Sequence, residues 1–268
     1  MDQRGISFLY LNIYDGCREP GRYRRLVSFV KKRNPDVLGL SELNGWDEND
    51  FARLSDFKKE VKLDYSLFCR SPHGYHLAVF SRIPFIKATV LNEGMWHGAI
   101  VSELSTKGRH YEVAIAHLSP RDEGVRTREA KSVVSAIRMK SAILMGDMNS
   151  LSREDIRNPG KLMASLRSKG ISKFGPEKPR SDTIDAISKK MVDATRLFSK
   201  VPGHTVPTKS NRDQEHSVPV RLDYVFITPD LKPHVKAAGI LRTSETERIS
   251  DHYPIFLDLK GVGDSAAP

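Results

Sequence analysis

Short apolar runs of strand length, each meeting a single polar residue at one end, constrain this chain more than any other feature. The clearest is Ile143-Leu144-Met145, which passes through Gly146 into Asp147, Met148, Asn149 and Ser150. In an extended chain successive side chains alternate faces, so Asp147 and Asn149 share a side. At the exposed end of a buried strand, that pairing presents an anionic oxygen and a neutral hydrogen-bonding group together. Such a pair suits a hard divalent cation and the phosphate it polarises. Alone it reads equally well as a turn, because Gly, Asp and Asn serve turns for backbone reasons.

The pattern recurs along the chain. Ile6 to Leu11 runs into Asn12, Asp36 to Ser41 into Glu42, and Tyr111 to Ala116 into His117. Arg221-Leu222 leads into Asp223 and the apolar run Tyr224 to Ile227, while Ser250-Asp251-His252 precedes Tyr253 to Leu257. Each run carries aromatic or branched residues and one side chain able to bind a metal or move a proton. Repetition in order is far more specific than one motif.

Gly146-Asp147-Met148-Asn149, Arg221-Leu222-Asp223-Tyr224 and Ser250-Asp251-His252-Tyr253-Pro254-Ile255 are the most specific pieces. With the others, in this order, they resemble the Mg-dependent endonuclease/exonuclease/phosphatase superfamily, across roughly residues 6–259. That superfamily includes deoxyribonuclease I-like nucleases, abasic-site endonucleases, sphingomyelinases and inositol polyphosphate 5-phosphatases. The resemblance implies a four-layered α/β-sandwich, two mixed β-sheets flanked by helices, with the site at one end. It also implies one domain over residues 1–260, followed by a short polar tail, 261–268, expected to fray. Two departures stand out: Ser41 occupies the place of the more usual Gln before Glu42, and Tyr10-Leu11-Asn12 lacks the common Trp. Neither removes the functional group itself.

Phosphodiesters resist hydrolysis because their charge repels nucleophiles and the leaving alkoxide is poor. Catalysis calls for cationic neutralisation, an activated water and stabilisation of the departing charge. Hard oxygen ligands suit Mg²⁺ or Mn²⁺, and no Cys/His cluster here has zinc spacing. The expected metal residues are Glu42, then Asp251, with Asn12 supplying its amide oxygen or positioning a bound water. Asp223 and His252 are expected to form one unit, the carboxylate fixing the imidazole's tautomer. In the family the matching histidine either activates water or stabilises the attacked phosphate, and both remain open here. Asp147 orients or deprotonates the water, Asn149 donates to a phosphoryl oxygen, and His117 donates a hydrogen bond or a proton. Each has a plainer reading: a histidine at a strand end is commonly a packed or surface group, and Asp251-His252 suits a helix cap. Arg121, Arg126 and Arg128 either meet phosphates or form a solvated helix face.

The 268 residues suffice for one large domain. Lys and Arg number 43 against 33 Asp and Glu, a formal charge of +10 that favours a polyanion, although solubility alone also produces basic surfaces. Nucleic acid, DNA or RNA, is therefore the expected partner. No long apolar span, secretory signal or lipidation motif is evident, so no stable membrane anchor and a cytoplasmic location are expected. Cys17 and Cys69 are expected to be free thiols.

Helices are predicted from Arg22 to Arg33, from Thr127 to Lys140 with Thr127 as N-cap, and from Asp182 to Phe198. Strands are predicted at about 6–13, 36–42, 77–81, 98–104, 111–117, 142–147, 221–228 and 254–260. Phe174 to Arg180 and Val201 to Val220 read as variable loops. The favoured function is a metal-dependent nuclease acting on DNA or RNA. The alternative is a phosphatase or phospholipid/inositol-phosphate phosphodiesterase of the same superfamily. A binding-only pseudo-enzyme would require loss of a site residue, and none is lost. A Tyr in the place of His117 would be expected of an abasic-site endonuclease.

Overall fold

The computed structural model describes residues 5–106 and 108–261, so the expected tail beyond Gly261 lies outside the described residues. Its first half runs β1 (Ser7–Asn12), α1 (Pro20–Arg33), β2 (Val37–Ser41), α2 (Glu48–Val61), β3 (Tyr65–Cys69), β4 (Leu77–Ser81) and β5 (Phe85–Leu91). There follow β6 (Gly98–Thr106), β7 (Arg109–His117), α3 (Glu123–Ala136), β8 (Ala142–Asp147), α4 (Pro159–Ser168) and α5 (Asp182–Ser188). The last strands are β9 (Val192–Asp193), β10 (Asp223–Ile227), β11 (Val235–Ile240) and β12 (Ile255–Leu259).

These strands form two mixed six-stranded sheets, ordered β11-β12-β1-β2-β4-β3 and β5-β6-β7-β8-β10-β9. Each sheet centres on one parallel pair, β1–β2 and β7–β8, joined by a crossover helix. The remaining pairings are antiparallel. Antiparallel neighbours begin where parallel strands end. Asp223 at the start of β10 therefore faces Asp147 at the end of β8, which in turn pairs with His117 at the end of β7.

Side-chain alternation builds the layers. Phe8 and Tyr10 of β1 face the inter-sheet core with Val113 and Ile115 of β7, Ile143 and Met145 of β8, and Val225 and Ile227 of β10. Leu9 and Leu11 face the other way, against Leu26 and Val30 of α1 and Phe57 of α2. On the far side Ala114, Leu144 and Phe226 pack on Ala130 and Val133 of α3 and Ile184 and Ile187 of α5. The architecture is a four-layered α/β-sandwich. Strands buried on both faces explain why the runs read as continuously apolar, and each fully buried Leu or Phe contributes about 1.5–3 kcal/mol.

Two glycines show how close the layers come. A Cβ on Gly39 would lie 2.5 Å from Ile115 Cδ1, across the core. One on Gly146 would lie 1.9 Å from the Ala116 carbonyl oxygen, so the glycine before Asp147 is required by the neighbouring backbone.

Several predicted elements need correction. The helix expected from Thr127 is capped five residues earlier by Asp122, whose carboxylate accepts from Gly124 N and Val125 N at 2.9 and 3.1 Å. It stops at Ala136, and the next amides, Arg138 and Met139, donate to the buried Glu112 carboxylate at 2.7 and 2.8 Å. The helix predicted over Asp182–Phe198 ends at Ser188, because Val192 and Asp193 pair with Ile227 and Phe226 at the sheet edge. Unanticipated are α2, whose apolar stripe is diluted by charge, β3, β11 and α4, and the edge strand β5, most of whose side chains are exposed. The segment from Val201 to Val220 folds back on itself through a Val206–Val220 bridge, and Phe174 is fully buried. Both cysteines are free and buried, and burial pushes both thiols up to about 11. No described helix is long and apolar enough to cross a membrane.

Replacing Asp122 with Ala should cost about 1 kcal/mol of stability, as N-cap losses generally do. The Val125 and Gly124 amides hold its carboxyl below the ordinary value. The contribution is therefore complete above the unfolded value of ~3.9 and is lost as pH falls through the folded one. Urea unfolding of both proteins at neutral pH and well below pH ~3.9 should show the gap closing in acid. An undiminished gap there would reject the carboxylate cap.

Candidate active site

The inter-sheet core turns polar at one end. Asn12, His117 and Asp147 occupy the last inward-facing positions of β1, β7 and β8, and Asp223 the first of β10. Each continues the alternation of the apolar residues below it, so the strand that packs the core also aims the functional group. All are almost completely buried. The predicted residues Asn12, Glu42, His117, Asp147, Asn149, Asp223, Asp251 and His252 are brought together here.

Asp147 sits at the centre. Its Oδ2 accepts from Asn12 Nδ2 at 3.2 Å, lies 3.5 Å from His117 Nε2 and 3.8 Å from His252 Nε2. Its Oδ1 accepts from Asn149 N at 2.8 Å. Its own amide donates to the Tyr10 hydroxyl at 3.0 Å, which is also 2.6 Å from Ser41 Oγ. Tyr10 therefore reaches across from one sheet to fix the end of the other. Tyr10, in the segment that lacks the family's common Trp, is thus a structural member of the site.

Asn12 also donates Nδ2 to Glu42 Oε1 at 2.9 Å, while its Oδ1 accepts from Tyr14 N at 3.0 Å. Its amide nitrogen, not its oxygen, faces the carboxylates, so in this geometry Asn12 holds Glu42 and Asp147 in place. Glu42 Oε2 accepts from Asp15 N at 3.0 Å. Glu42 and Asn149 both adopt left-handed φ values, 61° and 48°, at the turns leaving β2 and β8. For a glutamate that conformation is costly, and such strain concentrates where geometry serves function.

His252 Nδ1 lies 2.7 Å from Asp223 Oδ2, the expected pairing. Burial works against a charge on His252, yet Asp223, Asp251 and Asp147 outweigh it and push the imidazole up to about 10. His117 is the opposite case. Burial, with neighbouring His97 stacked 4.0 Å away, drives it well below the ordinary histidine range and keeps it neutral. Burial lowers His97 itself to about 3. Glu42 is raised to about 7 by burial and then by repulsion from Asp251. Asp251 itself is held down, because His252 and His216 outweigh the effect of its burial.

Glu42, Asp251, Asp147, His117 and Asn149 line one cavity of about 220 Å³. Hollows of about 370, 410 and 420 Å³ exist elsewhere, but none gathers this set of carboxylates and imidazoles. Chemistry, not size, marks the site. Among the described residues, two groups of ligand-type side chains are compact enough for a metal, His216, Asp251 and His252, and Asp147, Asp223 and His252; Glu42 belongs to neither.

The sequence matches the model of the endonuclease/exonuclease/phosphatase family over residues 9–252. The chain belongs to that family. In three dimensions it is similar to the crystal structure of an endonuclease/exonuclease/phosphatase from Beutenbergia cavernae DSM 12333. The match has a TM-score of 0.67 at 19% identity and covers 98% of this chain and 73% of that one. At that identity the likeness speaks to the fold. No curated protein matches the sequence. Members of the family are hydrolases of phosphoester bonds and are generally dependent on a divalent metal.

Sequence reading missed Lys173 and His216, which reach the site from irregular loops. Lys173 Nζ donates to Asn149 Oδ1 at 3.2 Å, and His216 Nδ1 lies 3.1 Å from Asp251 Oδ2. No periodicity announces either one. Arg126 was read as a phosphate ligand or a solvated residue and is neither. It is fully buried, paired with Glu123 at 3.0 Å and donating to backbone carbonyls.

If Asp223 and His252 act as one unit, Asp223→Asn and His252→Ala should not add. A double-mutant cycle on kcat/KM should show the double variant little worse than the poorer single one. Losses that multiply would separate the two residues.

Proposed function

We propose that this chain is a divalent-metal-dependent phosphodiesterase whose substrate is a nucleic acid, DNA or RNA. The observation that carries this reading is one cavity lined by Glu42, His117, Asp147, Asn149 and Asp251, with the buried Asp223–His252 pair directly behind Asp147.

The donor set fits a hard cation. Glu42 is raised first by burial and then by repulsion from Asp251, and a divalent ion would offset both. Glu42 and Asp251 would hold it, with Asn12 steadying Glu42, and Mg²⁺ or Mn²⁺ matches their oxygens. Such an ion, when bound, neutralises phosphoryl charge and polarises the phosphorus centre.

The rest is done by side chains. Asp147, locked by Asn12 and the Asn149 amide, directs Oδ2 at the cavity and accepts the proton of the attacking water. His252, its Nδ1 tied to Asp223, has Nε2 left to donate to a phosphoryl oxygen. Neutral His117 donates a hydrogen bond from one ring nitrogen. Asn149 uses one amide hydrogen on Leu118 O and keeps the other for the phosphate. Together they stabilise the charge that builds on the phosphoryl oxygens.

A polyanionic substrate is supported by the net charge of +10 and by exposed Arg24, Arg25, Lys31 and Lys32 on α1. The cavity wall also holds Tyr14, Tyr75 and Trp96, rings of the kind on which bases stack. Arg22 and Arg33 contribute less. The first donates to the carbonyls of Ile13, Tyr14 and Ile249, and the second pairs with Asp258 at 2.7 Å.

The decisive measurement is hydrolysis of plasmid, single-stranded DNA, RNA and a chromogenic phosphodiester with Mg²⁺ or Mn²⁺, with and without chelator. Nucleic acid should be cleaved and chelator should abolish cleavage. Turnover confined to inositol phosphates or phospholipid head groups would transfer the assignment to the phosphatase branch. Glu42→Gln should lower metal affinity and rate together, and full rate at limiting metal would remove Glu42 from the ligand set. Finally, an Asp147→Asn variant should lose orders of magnitude in oligonucleotide affinity between about 50 and 200 mM salt as counterion release weakens. A flat response would exclude an extended polyanion.

A further inference from the structure

Five carboxylates line the cavity, those of Glu42, Asp147, Asp213, Glu215 and Asp251, and Lys173 is the one Lys or Arg among the lining residues. A phosphate ester is an anion, and a wall of that sign repels it unless a cation faces it. Lys173 stands on the irregular segment after α4, yet its side chain is only 7% exposed. Lysines are seldom so buried without a partner for the charge.

The ammonium's surroundings are specific. Nζ donates to Asn149 Oδ1 at 3.2 Å, lies 3.3 Å from His216 Nε2 and 3.5 Å from Glu215 Oε2. The ammonium thus has one hydrogen-bond acceptor, an imidazole nitrogen within reach and one ion-pair partner. These partners are not equally committed. Asn149 is 2% exposed and fixed by Leu118 O and Asp147, whereas the Glu215 side chain is 59% exposed. An ion pair with so exposed a partner is weak and easily exchanged. The backbone under Lys173 is held from beneath: buried Arg126 donates Nη2 to the Lys173 carbonyl while pairing with Glu123. A rigidly seated lysine with one displaceable partner, next to Asn149, is the arrangement needed to take up an anion.

We propose that Lys173 is the side-chain cation that receives the phosphoryl group of the substrate, exchanging Glu215 for a phosphoryl oxygen while keeping Asn149. This deepens the phosphodiesterase reading and rests on it. Burial lowers the ammonium's pKa, with Glu215 and Asp147 opposing, so the charge is poorly solvated and gains from an anionic partner. Phe174, fully buried next to Lys173 with its ring centroid 5.3 Å from Nζ, anchors the segment there.

The test is calorimetric titration of inorganic phosphate into the full chain in the presence of Mg²⁺. Lys173→Met should weaken binding about tenfold or more, the worth of a charge-assisted hydrogen bond. Lys173→Arg should restore most of it. Glu215→Gln should tighten binding, because the competing carboxylate is gone. A purely structural lysine predicts no such opposition of sign. Phosphate affinity indifferent to residue 173, or weakened by Glu215→Gln, would overturn the assignment. Should Lys173→Met fail to fold, acylation of the unaltered protein with acetic anhydride decides. Peptide mapping should show phosphate shielding Lys173, and equal labelling with and without phosphate would reject the proposal. Failure of the parent reading looks different: no phosphodiester would be hydrolysed at all, whatever residue 173 does to phosphate binding.

Discussion

Face-to-face packing of the two sheets is the constraint on which everything else in this molecule depends. The same inward-facing positions that fill the core with Phe8, Ile115, Met145 and Val225 end in Asn12, His117, Asp147 and Asp223. The transition is sealed from both sides: Tyr10 of one sheet receives the Asp147 amide of the other, and Asn12 donates across to its carboxylate. A slip of one residue in any of these strands would turn its functional group toward the helices. The geometry of the candidate site and core packing are thus one problem, and the buried strands supply the rigidity that a site built on loops would lack.

Concentrating so many buried titratable groups around one pocket creates the second governing effect. A buried carboxylate raises the cost of ionising its neighbour, as the effect of Asp251 on Glu42 illustrates. Histidines then diverge according to company. His252, among three carboxylates, is pushed up, whereas His117, beside His97, is driven down. Two imidazoles that look alike in sequence are consequently set in different protonation states by what surrounds them. The same excess of negative charge surrounds the Lys173 ammonium at the pocket wall.

Loops complete what the strands begin. The segments carrying Lys173 and His216 meet at the open end of the sandwich, and a fourth small cluster around Phe174, Leu166 and Val206 supports them. Buried Arg126 belongs to this support. Its guanidinium donates to the carbonyls of Ser119, Arg121 and Lys173 where two loops converge. A residue that resembles a phosphate ligand in sequence serves here as a joint between segments.

The sequence by itself determined the family, the sandwich and the set of polar groups at the strand ends. The polar set is written in local alternation, which an extended chain converts directly into faces, whereas the family and the sandwich follow from the ordered motifs and the family they resemble. Helix and strand limits were less legible, since the 182–198 segment carries a helical pattern until pairing with β10 claims Val192 and Asp193. Edge strand β5 and charged α2 went unread for a related reason: their apolar signal is thin where one face meets water. Only the tertiary structure decided that Asn12 turns its nitrogen toward Asp147 across 135 residues, and that Tyr10 braces the opposite sheet. It alone placed Lys173 beside His216, 43 residues away, because neither lies in a periodic element. Contacts between irregular segments are set by the path of the backbone and by burial around them, and no local pattern in the sequence encodes that path.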